Sequence, residues 1–293
     1  MKIPILIVAT FLALGQSNLK LDPPHRCGDC DAWNTPIEPT KVFGNTYFVG
    51  TSYLGSVLIV SNAGLILLDG GLPQSAPIID ANIRKLGFKT EDIRLILNSH
   101  AHYDHAGGIA ALQRVSGATV AAREPGKRML ERGEPTPDDP QFAFGRAANE
   151  FPAVRNVRAV ADGETVRVGD AAVTAHATPG HTPGATTWSW RSCEGMRPQL
   201  AEGRCLDIVY ADSLNAVSSD GFRFTGDSTH PSLVEQMRKS IDVIRKLPCD
   251  AIIPVHPVGP FIKPGGCRAY ADAAETRLDA RVAEERRGRA AAK

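Results

Sequence analysis

The stretch Asn98-Ser99-His100-Ala101-His102-Tyr103-Asp104-His105-Ala106-Gly107-Gly108 decides how this chain is read. Four side chains that bind divalent metals fall within six positions. The run before it, Ile93–Leu97, is apolar except for Arg94, as expected of a strand buried on both faces. His100 and His102 are two apart, and on an extended segment that spacing puts both rings on one side. Gly107-Gly108 then let the backbone turn closely. Asp104 and His105 are adjacent at the head of a helix, where they can point past the first pair toward a second metal.

Working outward, the remaining ligands have to come from elsewhere. Five of the eight histidines lie outside this loop. His181 sits in Pro179-Gly180-His181-Thr182-Pro183-Gly184 and His256 in Ile253-Pro254-Val255-His256-Pro257. Each is held between stiff or tight-turning residues at the end of a strand, which presents a ring rigidly. Both are assigned as ligands. His25, His176 and His230 have no such context and are read as structural. Catalytic zinc takes three protein ligands and keeps a position for water. His100, His102 and His181 supply a three-nitrogen site, and Asp104, His105 and His256 a mixed one. Nitrogen and carboxylate donors without thiolate suit zinc, although iron or manganese accept the same types.

The scaffold around the loop alternates strands and helices. Strands are expected at 46–50, 56–61 and 64–69, the last two joined as a hairpin by Asn62-Ala63-Gly64. Ile78, Ile79, Ile83 and Leu86 give 75–86 a helical face. A short helix at 109–115 and a strand at 119–122 follow the metal loop. Pro135, Pro137, Pro140 and Pro152 mark 133–156 as a long loop, a length often tied to function. Strands return at 157–160, 165–168, 172–177, 186–190 and 207–210. Pro231 stands where a first helical position would, ahead of the stripe Leu233, Val234, Met237, Ile241 and Ile244. A strand at 251–255 and a helix at 271–285 close the chain, and 16–40 reads as an irregular lead-in. The expectation is an α/β fold, two sheets face to face with helices outside, in one domain from 27 to 285.

The formal net charge of +1 gives no reason to expect nucleic acid or an anionic membrane as a partner. Arg286-Arg287-Gly288-Arg289 belongs to a segment, 286–293, read as a solvated, disordered tail. Residues 1–15 read as a secretory signal peptide: Lys2, an apolar run, then Ala13-Leu14-Gly15. The run is short of the ~20 residues that span a bilayer. An uncleaved anchor is the alternative. Six cysteines fit an oxidising compartment. Pairing of sequence neighbours, Cys27/Cys30, Cys193/Cys205 and Cys249/Cys267, is the simplest of the possible arrangements, though Cys27-Gly28-Asp29-Cys30 could instead be a redox or zinc pair. The mature chain is expected to be soluble, exported to the periplasm or beyond, and monomeric.

These residues resemble the metallo-β-lactamase superfamily. The resemblance rests on Leu67-Leu68-Asp69-Gly70, the H-x-H-x-D-H loop, Pro179-Gly180-His181-Thr182-Pro183-Gly184, Tyr210-Ala211-Asp212-Ser213-Leu214 and Pro254-Val255-His256-Pro257, in family order over nearly all of the mature chain. It implies the αββα sandwich in a single domain. Within the superfamily the chain is most similar to the third subclass of class B β-lactamases. Ser213 stands where the first subclass has a cysteine ligand, the pair Cys249/Cys267 flanks the last ligand as that subclass's disulfide does, and the opening around Trp33-Asn34 and 44–51 is also alike.

The resemblance implies zinc-dependent hydrolysis of the β-lactam amide by a hydroxide activated between two Zn2+ ions. It puts the first zinc on His100, His102 and His181 and the second on Asp104, His105 and His256. Asp104 orients the hydroxide, and Asp69 supports the site without binding metal. Ser213 helps to hold the carboxylate that the small-molecule substrate carries. Asn215 replaces a serine found in some relatives, which keeps a donor but changes its reach. Gln141 and Phe142 fall in the long loop that flanks the site. Two other readings are open. One is a different dizinc hydrolase of this fold, a lactonase or a glyoxalase-II-like thioesterase, with Asp212 bridging the metals. The other is a non-catalytic exported zinc-binding protein.

Overall fold

The computed structural model describes residues 18–194, 203–257 and 261–291. The expected signal peptide lies outside them. After the short helix α1 (Cys30–Trp33), strands β1 (Thr40–Phe43), β2 (Thr46–Phe48), β3 (Val57–Ser61) and β4 (Gly64–Leu68) form an antiparallel run. Helix α2 (Ala76–Lys85) crosses over to β5 (Ile93–Leu97), which pairs parallel with β4. Helices α3 (Tyr103–Ala106) and α4 (Ile109–Ser116) lead to β6 (Thr119–Arg123). Then α5 (Glu124–Arg132) and α6 (Arg146–Asn149) lead to β7 (Val157–Val160). These seven strands lie in the order β1-β2-β3-β4-β5-β6-β7.

The second sheet follows. Strands β8 (Thr165–Val168), β9 (Ala171–Ala177), β10 (Thr186–Glu194) and β11 (Arg204–Ala211) pair antiparallel in sequence. Helix α7 (Val234–Lys246) returns the chain to β12 (Ala251–Pro254), parallel to β11, and α8 (Gly266–Ala291) closes the fold. The sheet order is β12-β11-β10-β9-β8.

Side chains alternate across a strand, and here both faces of the central strands are apolar. Ile59, Ile66, Leu68 and Leu97 of the first sheet pack with Val173, Trp188, Ile208 and Ile253 of the second, forming the inter-sheet core. Their neighbours Leu58, Leu67, Ile96 and Val120 face outward onto Ile79, Ile83 and Leu112 of α2 and α4. On the far side Val209, Ala211 and Ile252 pack on Met237, Ile241, Ala271 and Leu278 of α7 and α8. This is the αββα arrangement expected.

The differences have local causes. Strand β1 and helix α1 fall at and within a lead-in read as irregular, because four-residue elements carry too little periodicity to register. The loop 133–156 contains α6 and a 3-10 turn, Phe142–Phe144. Helix α7 starts at Val234, not Pro231, because Ser232 and Leu233 are tied back to the Phe224 carbonyl by the Ser232 hydroxyl (3.1 Å) and the Leu233 N–H (2.9 Å). Helix α8 continues to Ala291, through the segment expected to be a disordered tail from 286. Arginine and alanine are strong helix formers, and one glycine at 288 does not outweigh them. Three disulfides join Cys27 to Cys30, Cys193 to Cys205 and Cys249 to Cys267. The neighbour pairing is therefore correct, and Cys27-Gly28-Asp29-Cys30 is a bridge. No helix among the described residues is long and apolar enough to cross a membrane.

Candidate metal centre

The metal loop leaves β5 at Leu97 and is clamped from both sheets. Asp69, just after β4, receives the Ser99 N–H at 2.7 Å and the Asn98 amide at 3.0 Å on Oδ1. It receives the Ser99 hydroxyl at 2.5 Å and the Tyr210 hydroxyl at 2.8 Å on Oδ2. From the second sheet, the Trp188 indole donates to the Asn98 carbonyl (3.1 Å) and the Thr186 N–H to the Ser99 carbonyl (2.8 Å). Asp69 holds a left-handed backbone with φ 56°. That conformation costs a residue with a Cβ roughly 1–2 kcal/mol, and the four hydrogen bonds offset it. The glycines after the loop serve close approach. A Cβ on Gly107 would lie 2.3 Å from Pro73 Cδ, and one on Gly108 2.2 Å from the Gly70 carbonyl oxygen.

The more distant histidines arrive on equally fixed loops. The Ser240 hydroxyl of α7 donates to the Pro179 carbonyl at 2.7 Å, and Gly180 (φ 144°) leaves no room for a Cβ beside Met237. His256 follows β12, where the Val255 N–H donates to Ala211 and the Val255 carbonyl accepts from Gly55 (2.7 Å). The rings converge. Centroids of His100, His102 and His181 lie 4.8–5.0 Å apart, and those of His105 and His256 lie 4.7 Å apart. One ligand atom from each of His100, His102 and His181 lies within 4.8 Å of the others, and the same holds for His100, Asp104 and His105. Asp104 Oδ2, His105 Nε2 and His256 Nε2 are 3.1, 3.2 and 3.5 Å apart. All six side chains predicted as ligands are thus brought together, and His100 stands between the two groups.

Outer partners choose which ring nitrogen faces inward. Asp212 Oδ1 lies 2.6 Å from His100 Nδ1, leaving Nε2 buried with no protein partner. The Asn215 carbonyl takes His181 Nδ1 at 2.9 Å, and the Tyr53 carbonyl takes His256 Nδ1 at 3.3 Å. Both oxygens of Asp139 lie 3.2 Å from His102 Nε2, so His102 presents Nδ1. Such outer hydrogen bonds fix tautomer and orientation in metal sites. Four rings pinned from behind, with His100 Nε2 facing inward without a partner, fit a bound metal ion.

For His100, His181 and His256 the charges agree with that fit. Burial, reinforced by His105 and His181, holds His100 well below its ordinary range. Burial and then His102 bring His181 to about 3, and burial and then His105 bring His256 to about 4. Neutral imidazole is the form that binds metal. Burial pushes the Asp104 carboxyl up, but His105, His256 and His102 outweigh it and hold it far below the ordinary carboxylate range. Burial lowers His105, but Asp104, Asp69 and Asp212 outweigh it.

Three residues named from sequence stand differently. Asn215 holds His181 with its backbone carbonyl. Gln141 donates its backbone N–H to Asp139 Oδ1 (2.8 Å) and accepts from Asn149 with its carbonyl (3.0 Å). Ser213 is buried directly after Asp212 at the end of β11. Phe142 is exposed on the flanking loop. His25 stacks on Tyr103 at 3.9 Å, and His176 pairs with Ser189 at 2.7 Å, so both are structural as read. Asp139 was missed. It lies in a proline-rich loop without periodicity, 37 residues from its partner. The tandem Asp138-Asp139 beside Gln141 was its only signal in the sequence.

A family model described as the metallo-β-lactamase superfamily matches residues 55–193. Solved structures extend the likeness. The Rm3 metallo-β-lactamase is 47% identical with a TM-score of 0.83, covering 89% of this chain and 99% of its own. MEM-A1, a subclass B3 metallo-β-lactamase isolated from a soil metagenome library, is 44% identical with a TM-score of 0.80, covering 89% and 100%. BJP-1, a subclass B3 metallo-β-lactamase of Bradyrhizobium japonicum, is 33% identical with a TM-score of 0.76, covering 89% and 99%.

Proposed function

This chain belongs to the metallo-β-lactamase superfamily, and from that membership we propose that it hydrolyses the amide bond of β-lactams with two zinc ions. The observation that carries the proposal is the convergence of six donors from both sheets, four of them pinned from behind, on one pair of adjacent sites. His100, His102 and His181 would hold one ion, and Asp104, His105 and His256 the other. When bound, zinc supplies Lewis acidity that lowers the pKa of water from about 15.7 toward ~7.

The chain's own residues supply the rest. Asp104, kept ionised beside His105 and His256, accepts a hydrogen bond from the attacking water and so orients it. Asp212 and Asp139 hold the rings of His100 and His102 in register. The Ser213 hydroxyl, directly or through water, helps to hold the substrate carboxylate, with Asn215 and Gln141 at its flanks. A thioesterase-like reading would need Asp212 between the metals. Its Oδ1 instead meets the back of the His100 ring, which supports the lactamase reading. All six donors lie in one chain, so neither site needs a residue from a second copy, as the monomer reading requires. Three disulfides support an exported, periplasmic enzyme whose residues 1–15 are removed.

Turnover of a chromogenic cephalosporin, with and without a chelator, tests the proposal. Hydrolysis that the chelator abolishes and zinc restores is expected. No chelator-sensitive turnover overturns it.

A further inference from the structure

Of the five proposed histidine ligands, His256 is the one that is not buried. Its side chain is 23% exposed, whereas those of His100, His102 and His105 are 4% exposed or less and His181 is buried. Its outer partner is also the most distant: the Tyr53 carbonyl lies 3.3 Å from Nδ1, against 2.6–3.2 Å for the partners of His100, His102 and His181. The position of this ring therefore depends on the turn, 51–54, that carries the carbonyl.

That turn is tight. The Thr51 N–H donates to the Leu54 carbonyl (3.0 Å) and the Leu54 N–H to the Thr51 hydroxyl (3.3 Å). A threonine in a turn needs only such local bonds, but Thr51 makes one more. Its side chain is buried, and the hydroxyl donates to the Trp33 carbonyl, 18 residues back, at 2.6 Å. Two bonds run beside it: the Ser52 N–H to the Thr35 carbonyl (3.0 Å) and the Ser52 hydroxyl to the Ala32 carbonyl (2.9 Å). All three acceptors lie in or just after α1. The Trp33 ring stacks nearly parallel on Tyr53 at 5.7 Å, and the Tyr53 ring lies 5.0 Å from that of His256. Helix α1 is itself fixed. The Cys27–Cys30 bridge closes it, Cys30 is buried against Leu54 and Leu72, and the Ser75 hydroxyl donates to Asn34 Oδ1 at 2.5 Å. None of these bonds reaches His100, His102 or His181.

We propose, resting on the division of donors between two ions given above, that Thr51 is a positioning residue for the second metal site. Its hydroxyl transmits the fixed position of α1 to the turn whose Tyr53 carbonyl sets His256. Without it the turn and the ring shift together, and the site of Asp104, His105 and His256 loses affinity while the three-histidine site keeps its own.

The test is a chelator titration of the zinc-loaded, 15N-labelled full chain, with the occupancy of each site read from the ring signals of His102 and His256. Thr51→Val keeps the shape of the side chain and removes the hydroxyl. It should weaken the zinc reported by His256 roughly 3–10-fold, less than the ~10–100-fold of a direct outer partner, and leave the zinc reported by His102 within about twofold. Thr51→Ser, which keeps the hydroxyl, should restore the parent affinity. If Thr51→Val does not fold, the double variant Cys27→Ser/Cys30→Ser, which opens the bridge behind α1 and touches no bond of the turn, carries the same prediction. Equal losses at both sites, both affinities within about twofold of the parent, or a Thr51→Ser protein as impaired as Thr51→Val overturn the proposal. A parent that holds fewer than two zincs overturns the division of donors and this role with it. A parent that holds two, matched at both sites by the variants, overturns this role alone.

Discussion

Asp139→Ala removes the carboxylate that faces the outer nitrogen of His102. Both of its oxygens are 3.2 Å from Nε2, and its side chain is fully buried. Truncation leaves a buried N–H without an acceptor, at a cost of about 1–3 kcal/mol. At 1.4 kcal/mol per decade, that corresponds to a factor of roughly 5–150. The range agrees with the ~10–100-fold that outer-sphere partners of metal ligands contribute. The variant should therefore bind zinc about 10–100-fold more weakly, measured by competition with a chromophoric chelator, and lose turnover in parallel at limiting zinc. Asp139→Asn should recover part of the loss, because an amide oxygen can still accept from His102 and from the Gln141 N–H. Long-range 15N spectra should show His102 carrying its proton on Nε2. An Asp139→Ala protein with zinc affinity within twofold of the parent would refute the argument that Asp139 sets this ring.

Three further outcomes are expected. His256→Ala should lose one bound ion and most turnover, read by mass spectrometry under non-denaturing conditions alongside rate measurements; a variant keeping both ions would show the donor assignment to be wrong. Tyr210→Phe removes a hydroxyl that donates to Asp69 at 2.8 Å and lies 3.0 Å from the Gly55 carbonyl. At about 1–3 kcal/mol for the buried bond and roughly 2–4 °C per kcal/mol, Tm should fall by about 2–12 °C; an unchanged Tm would discount the Asp69 network. Burial lowers the pKa of His176 from its ordinary 6.5, so the unfolded chain binds the extra proton below that pH. Its contribution is thus neutral above about pH 6.5 and destabilising as pH falls below it. His176→Gln, which can keep the bond to Ser189, should gain Tm relative to the parent between pH 7.5 and 5, and a pH-independent difference would contradict this.

The sequence made the donors legible because each sits in a local pattern. The metal loop compresses four of them, and prolines and glycines bracket His181 and His256. Burial on both faces of Ile93–Leu97 was equally plain, since a continuous apolar run needs no partner to be recognised. What escaped were properties of pairs. Asp139 gains its role only when a loop folds back over His102. Asp212 could be read as a bridge until its Oδ1 was seen at the back of His100. Asn215 and Gln141 act in the frame through their backbones, which residue type does not encode. Helix boundaries failed for a related reason: Pro231 has the chemistry of a first helical position, but the Phe224 carbonyl captures the two residues after it.

The division of donors between the sheets has a consequence for how the protein matures. His100, His102, Asp104 and His105 follow a strand of the first sheet, while His181 and His256 extend from the second. With the ligands as proposed, neither half can complete a site for either ion. Tight capture must then wait until the two sheets have docked, late in folding. Zinc should accordingly leave the folding rate nearly unchanged and slow unfolding, acting as a latch on a finished sandwich and not as a nucleus for it.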